Sequence, residues 1–400
     1  MSGAPDHDVV VIGAGPTGLL LASELRRRGV DVALLERRSD GRSSSRAIGV
    51  HPPVLAALED SGATERILSE AVRIPRGVAR TRENVLGEVR FDRLRTRFPF
   101  VASLPQSLTT AAVAAEAPVP RRGVRAVALD ERGGRVEILT RTRSSDDEIS
   151  ARFVVVAAGS SGRALVPAGA RMRLRPGRDC YLMADVAGGS HSVDHTAVVT
   201  LDRAGVLESF PLPHGARRYV AWDRRISRRE AASDGGSGTA DTEKLRRTVA
   251  SLTGSDEAAS EIEQATAFRV QRALVPRMRV GRILVIGDTA HEVSPIGGQG
   301  MNLGLLDAAT LAPLLAARIG DPEIDESLHH WERARLASAR TADRLANLNT
   351  ALGRARAALP HRVVTSALSA GLTGPFGSVA ARAFAMGFDC AAKIRPPSRS

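Results

Sequence analysis

The stretch from Val9 to Glu36 constrains the fold more than any other. An apolar run, Val9-Val10-Val11-Ile12, leads into Gly13-Ala14-Gly15-Pro16-Thr17-Gly18. An amphipathic segment, Thr17–Arg28, follows, and then a short apolar strand, Asp31–Leu35, that ends on Glu36. Strand, G-x-G-x-x-G, helix, strand and acid in this order form the fingerprint of a βαβ unit that binds a dinucleotide. Gly13 allows the tight turn, Gly15 lets the backbone approach a pyrophosphate, and Gly18 lets helix and strand pack closely. Glu36 stands about 20 residues on, where an acid holds a ribose diol.

A second loop of similar character lies late in the chain. In Arg282–Asn302 (RILVIGDTAHEVSPIGGQGMN) an apolar run ends in Gly287-Asp288. A Pro/Gly-rich loop then opens a helix-forming segment at Gln299-Gly300-Met301-Asn302. A helix N-terminus offers free backbone N–H groups and a partial positive charge, so this loop also suits an anionic, hydroxyl-bearing ligand.

The composition admits a large core and narrows the partners. The chain has 400 residues, 43% of them apolar, which argues against disorder as the main state. Its net charge is +12, and every basic residue but Lys244 and Lys393 is arginine. The arginines are scattered without interleaved aromatics, so they read as compositional bias rather than a nucleic-acid surface. The two cysteines, Cys180 and Cys390, have neither disulfide-framework nor metal-ligand spacing and read as free thiols. Asp6 and Asp8, not basic residues, precede the first apolar run, which argues against a targeting signal. No uninterrupted apolar run long enough for a bilayer is seen, and a soluble, cytoplasmic protein is expected.

Three textures follow one another. Residues 8–36 read as βαβ. Pro52–Leu58 and Gln106–Glu116 read as helices, Gly87–Phe91 as one of several strands in 72–100, and Gly123–Leu129 with Arg135–Arg141 as a hairpin. Ala151–Ala157 is an apolar strand that exits through Gly159-Ser160-Ser161-Gly162. Short strands then recur at Cys180–Val186, Ala197–Leu201, Val206–Phe210 and Arg218–Trp222, which predicts an antiparallel sheet. Ser233–Thr242 reads as a loop that caps a helix at Asp241–Leu252. After residue 302 the chain reads as helix over Asn302–Arg318 and Ile324–Ala358, and the tail as helical pieces broken at Gly374-Pro375. The expected fold class is α/β (α+β overall). A Rossmann-like domain comes from residues 1–72, 101–177 and 270–325, an antiparallel-sheet domain from 73–100 and 178–269, and a helical region from 326–400. A ligand pocket is expected where the first two meet.

In these motifs the sequence resembles the class A flavoprotein monooxygenases, the family typified by para-hydroxybenzoate hydroxylase. The resemblance covers nearly the whole chain and is weakest beyond about residue 320. It rests on GAGPTG with Glu36, the strand-exit Gly159, and GD…P-x-GGQGMN-x-G-x-x-D from Gly287 to Asp307. It implies that the Rossmann-like domain binds FAD and that the inserted sheet carries the substrate. Gly13, Gly15 and Gly18 would cradle the pyrophosphate, Glu36 would bind the adenosine ribose, Arg46 would lie near the pyrophosphate, and Pro16, Thr17 and Arg37 would belong to the same cofactor site. Gln106 and Gly159 would lie near the flavin, and Asp288 would hold a ribityl hydroxyl. Gly298, Gly300, Met301 and Asn302 would set backbone N–H groups against the flavin ring, and Pro295 would line the oxygen site unless it is a simple turn proline.

The implied reaction inserts one oxygen atom from O2 into a small apolar, aromatic or polyketide-type substrate through a flavin C4a-hydroperoxide, by hydroxylation or epoxidation. NADPH or NADH would be the reductant. One departure bears on that last step. The family has Asp-Gly at the middle strand exit, with a serine three residues after the glycine, whereas this chain has Ala158-Gly159 and Gly162. The missing carboxylate leaves open whether a nicotinamide reduces the flavin directly. It keeps a rival in view, a relative that uses FAD as a reductase or as scaffold for a non-redox cyclisation. A basic binding module for an acidic partner is the remaining alternative. Tyr181, Phe210 and Trp222 are candidate substrate contacts or core fillers. His51, His291 and His214 are conceivable bases whose plainer readings are a surface residue at a helix start, a structural residue and a solvated turn residue. No metal constellation stands out, and the oligomeric state is not specified.

Overall fold

Val9, Val10 and Val11 are wholly buried, because the strand that contains them, His7–Ile12, lies between two parallel neighbours, Val32–Glu36 and Asp146–Val156. Strands covered on both faces read as continuous apolar runs, as this one does. In this computed structural model, which describes residues 4–41, 47–172, 179–187, 195–223, 238–269, 271–294, 297–321, 325–354, 357–372 and 376–389, Ile283–Val285 extends the parallel order beyond Asp146–Val156. The outer half of Asp146–Val156 pairs with Arg135–Arg141 in a hairpin with Arg125–Arg132.

The helix Pro16–Arg26 crosses from the first strand to the second and packs on the long helix Gln299–Gly320. Proline at its first position costs nothing, since that N–H has no helical partner. Small residues set the contact. A Cβ on Gly304 would lie 2.5 Å from Thr17 Oγ1, and one on Gly18 would lie 1.9 Å from the Gly13 carbonyl. By length and composition Gln299–Gly320 is long and apolar enough to cross a membrane, although Asn302, Asp307 and Arg318 interrupt its apolar run. It is a core helix here. Leu303, Leu305, Leu306, Leu311 and Leu315 are fully buried.

A second sheet has seven strands in the order Thr266–Arg269, Cys180–Val186, Arg217–Asp223, Gly205–Pro211, Thr196–Asp202, Arg76–Arg80 and Val85–Arg90. Every neighbour pair is antiparallel except Thr196–Asp202 with Arg76–Arg80, which is parallel and departs from the expected pattern. These two strands come from distant parts of the chain, so no hairpin fixes their direction. One face packs Leu182, Leu207 and Ala221 against the helices Thr239–Thr253 and Asp256–Ser260. Gly238, which has no side chain to donate or accept, caps the first of these, so the expected side-chain cap is absent.

The other face is covered as well. The helices Ala358–Leu372 and Phe376–Phe384 close over the edge strand Val85–Arg90. The contact at Gly87 is so tight that a Cβ there would come within 2.4 Å of Leu372 Cβ. The preceding helix, Asp325–Gly353, packs on Gln299–Gly320.

Candidate cofactor and substrate site

Two helices aim their N-termini at one cavity of about 1130 Å³. Pro16–Arg26 begins after Gly15, and Gln299–Gly320 begins after Gly298, which has a φ of 64°. Neither N-cap residue offers a side-chain hydrogen bond, and neither first turn carries an acid. Their N–H groups and dipoles are therefore directed at whatever fills the cavity, and an anion suits them. A Cβ on Gly15 would meet nothing within 4 Å, whereas one on Gly13 would strike the Ala157 carbonyl at 2.6 Å. The loop is thus pressed against the sheet at Gly13 and open to the cavity at Gly15.

Glu36 lines the same cavity at the end of its strand. One carboxylate oxygen accepts from the Ala14 N–H at 3.0 Å and the other from the Arg38 N–H at 2.9 Å. Burial alone would raise its pKa, but these backbone donors outweigh burial and hold it below the ordinary value, so Glu36 is ionised at neutral pH. Arg37, beside it, is exposed at the cavity wall. Gln106 opens the helix Gln106–Val113, lines the cavity and accepts from the Ala47 N–H at 3.3 Å. Arg46 and Pro295 lie outside the described residues.

Asp288 is the single exposed residue between Ile283 and His291, and it faces the cavity from a short 3-10 turn. Thr289 Oγ1 donates to the Gly159 carbonyl at 2.9 Å and joins this turn to the exit of Asp146–Val156. The Arg163 guanidinium strengthens that joint by donating to the Asp288 carbonyl at 3.1 Å and pairing with Glu292. Sequence reading missed this pair, because the two residues lie far apart in the chain and carry no motif.

Asn302 acts through its side chain as a clamp. Its Nδ2 donates to the Gly49 and Gly298 carbonyls, both at 2.8 Å, and its Oδ1 accepts from the His51 N–H at 2.8 Å. Gly300 and Met301 line the cavity, whereas the Asn302 side chain is fully buried behind them. His51 is not the surface residue expected at a helix start. It is 4% exposed, it lines the cavity beside Gly298, and burial pulls its pKa down to about 4. His291 is wholly buried and donates Nε2–H to Asp307 at 2.6 Å, as an acceptor-only carboxylate requires. Asp307 also accepts from the Gly287 N–H at 3.0 Å and from Arg335 Nε at 2.7 Å, and Arg335 in turn pairs with Asp389 at 2.9 Å. This buried network fixes the loop that carries Asp288. His214 is exposed in a turn away from the cavity.

Beyond the two helix ends, the cavity continues along the inner face of the seven-stranded sheet. Phe210 lines it. Tyr181 and Trp222 do not. Tyr181 is 1% exposed, stacked on Phe268 at 5.6 Å, with its hydroxyl 3.4 Å from Ser294 Oγ, and Trp222 donates to Asp179 at 2.9 Å. Burial raises the Tyr181 pKa to about 12.

A family described as "FAD binding domain" matches residues 6–346. The chain belongs to that family. Its cofactor is FAD, and the two open helix ends with Glu36 fit such a ligand. Among curated relatives, 6-methylpretetramide 4-monooxygenase of Streptomyces rimosus is 32% identical over 373 residues, which cover 87% of this chain and 64% of that one. Rifampicin monooxygenase of Streptomyces venezuelae is 29% identical over 341 residues, covering 83% of this chain and 69% of that one. The chain spans about two thirds of the length of these relatives. Among solved structures, p-nitrophenol 4-monooxygenase from Pseudomonas putida superposes with a TM-score of 0.81 at 21% identity, covering 97% of this chain and 98% of that one. Anhydrotetracycline hydroxylase from Streptomyces rimosus superposes with a TM-score of 0.75 at 24% identity, covering 98% and 78%. Both share the fold.

Proposed function

We propose that the protein is an FAD-dependent monooxygenase that inserts one oxygen atom from O2 into a small, apolar, aromatic or polyketide-type substrate, by hydroxylation or epoxidation. The observation that carries this reading is the continuity of the cavity. One end presents two open helix N-termini and Glu36, and the other is the apolar face of a sheet. The two curated relatives named above, both monooxygenases, support it.

Bound FAD supplies the redox and oxygen chemistry that no side chain can. The chain supplies position and electrostatics. The loop Gly13–Gly18 would seat the pyrophosphate, Glu36 would accept from the ribose hydroxyls, and Asp288 would accept from the ribityl chain. The N–H groups that follow Gly298 would stabilise the negative charge that a reduced flavin carries. Val199, Val206 and Val220 exclude water from the substrate end. NADPH or NADH is the reductant, and the cytoplasm is the site of action, as a chain with two cysteines and no disulfide framework favours.

The test begins with purified protein and added FAD. A flavin spectrum is expected, followed by anaerobic bleaching with NADH or NADPH, and by one atom of label in product when 18O2 is admitted with a polycyclic phenol. A protein that takes up no FAD refutes the proposal. A second reading, FAD as scaffold for a non-redox cyclisation, draws on Ala158, which brings no carboxylate to the strand exit. FAD uptake without bleaching by either nicotinamide decides for the scaffold.

A further inference from the structure

Strand register places five side chains in one row across the cavity face of the seven-stranded sheet: Met183, Val220, Glu208, Val199 and Ala79. Four of the five are apolar. The fifth, Glu208, is 5% exposed and lines the cavity. Its neighbour Leu207 points to the opposite face, into the core under the Thr239–Thr253 helix. Glu208 is thus a carboxyl directed into an apolar chamber.

Among the described residues no cation pairs with it. Arg218, on the same face, is itself buried and grips Asp185 through two contacts of 2.5 and 2.7 Å. On the edge strands, Arg76 pairs with Glu88, and Arg90 grips Asp92 and lies near Glu88. The Tyr181 hydroxyl faces Ser294, and His51 and the Arg163–Glu292 pair lie at the cofactor end. The covering helices present Leu348, Leu352, Leu368, Leu372 and Phe384 to the chamber and no charged group among the described residues. Burial with no compensating charge raises the carboxyl's pKa to about 8, so the acid keeps its proton at neutral pH.

We propose that Glu208 recognises the substrate as a neutral acid, donating its proton in a hydrogen bond to a carbonyl or phenolic oxygen of an otherwise apolar, uncharged molecule. This rests on the reading of the apolar end as the substrate site. A neutral carboxyl has one O–H donor, and in a dry chamber that donor needs an acceptor. Among the described residues of the chamber, Arg218 is held by Asp185 and the other walls are largely apolar, and an ionised Glu208 would repel a substrate carboxylate. The site therefore selects ketones, quinones and phenols over organic anions.

The test uses FAD-loaded protein and three tricyclic probes of one shape in equilibrium dialysis: 9-fluorenone, which has a carbonyl and no titratable group, fluorene, which has no oxygen, and 9-fluorenone-2-carboxylate. At pH 6.5 fluorenone is expected to bind about five- to tenfold more tightly than fluorene, the value of one buried hydrogen bond, and the carboxylate more weakly than either. At pH 9.5 the wild-type preference disappears as the acid ionises. Glu208→Gln keeps an N–H donor and so keeps the preference at both pH values, while Glu208→Leu binds fluorenone and fluorene equally. A wild-type preference that does not change with pH overturns the proposal, as does one that survives in Glu208→Leu. Failure of FAD-loaded protein to bind any probe also overturns it and leaves the cofactor reading standing. Failure to take up FAD refutes the proposed function instead, and the dialysis then reads the Glu208 preference on the apoprotein.

Discussion

Replacing Glu208 by glutamine is expected to stabilise the fold by an amount that depends on pH. The folded carboxyl has a pKa of about 8 against an ordinary value of 4.5, and burial is the cause. Below about pH 4.5 the folded and unfolded chains both hold the proton, and the two proteins differ little. Between about pH 4.5 and 8 the unfolded wild type releases a proton that the folded wild type keeps. Each pH unit in this window then costs the wild type about 1.4 kcal/mol. Above about pH 8 both states are ionised and the loss levels off. Glutamine has the same shape and never ionises. E208Q should therefore exceed the wild type by about 3 kcal/mol at pH 7 and about 4 kcal/mol at pH 8, levelling off near about 5 kcal/mol above that. The assay is urea unfolding followed by circular dichroism, with FAD in excess, at pH 5, 6, 7 and 8. A shift in midpoint at constant slope reports stability alone. A difference between the two proteins that is flat across these pH values would refute the assignment of a buried, uncompensated carboxyl.

Other perturbations separate the parts of the site. Gly18→Ala places a Cβ 1.9 Å from the Gly13 carbonyl and should abolish FAD retention, read as flavin absorbance per mole of purified protein. Asp288→Ala removes an exposed side chain and should weaken FAD binding by about tenfold, the value of a hydrogen bond to a charged group, with an unchanged circular dichroism spectrum; flavin fluorescence titration checks both the loss and its size. Arg335→Met strands the carboxylates of Asp307 and Asp389, which should cost about 3–5 kcal/mol in denaturant unfolding, and a variant as stable as the wild type contradicts the network.

Much of the fold was legible because its signals are local. The first strand is an apolar run, the loop that follows is a glycine motif, and both determine structure within a few residues. The strands of the second sheet, from Cys180 to Asp223, match their expected positions to within about one residue. What stayed hidden depends on contacts between distant segments. Arg163 and Glu292 meet only once two strand exits are side by side. Asp307 was visible as a motif position, but its partner Arg335 sits on another helix with no spacing to announce it. His51 looked like a surface residue because nothing local says that Phe384 and Gly298 will cover it. Glu208 belongs to no motif, and the sequence reading assigns it no role. A signal was available, since Val206 and Phe210 on one face and Leu207 on the other are all apolar, and a strand apolar on both faces is covered on both.

The contact between Gly87 and Leu372 sets a timetable for the chain. The apolar wall that faces the substrate is complete only with the strand Thr266–Arg269, and the helices that roof it come later. Roughly one hundred residues separate that strand from the end of Ala358–Leu372, on the order of 5–20 s of synthesis at typical rates. Through that interval the inner face of the sheet has no lid of its own and is a natural client for a holding chaperone. A slow-translating or truncated message should therefore lose this protein to aggregation while the wall waits for its roof, and a chain cut before Asp325–Gly353 also lacks Arg335, which braces the cofactor loop through Asp307.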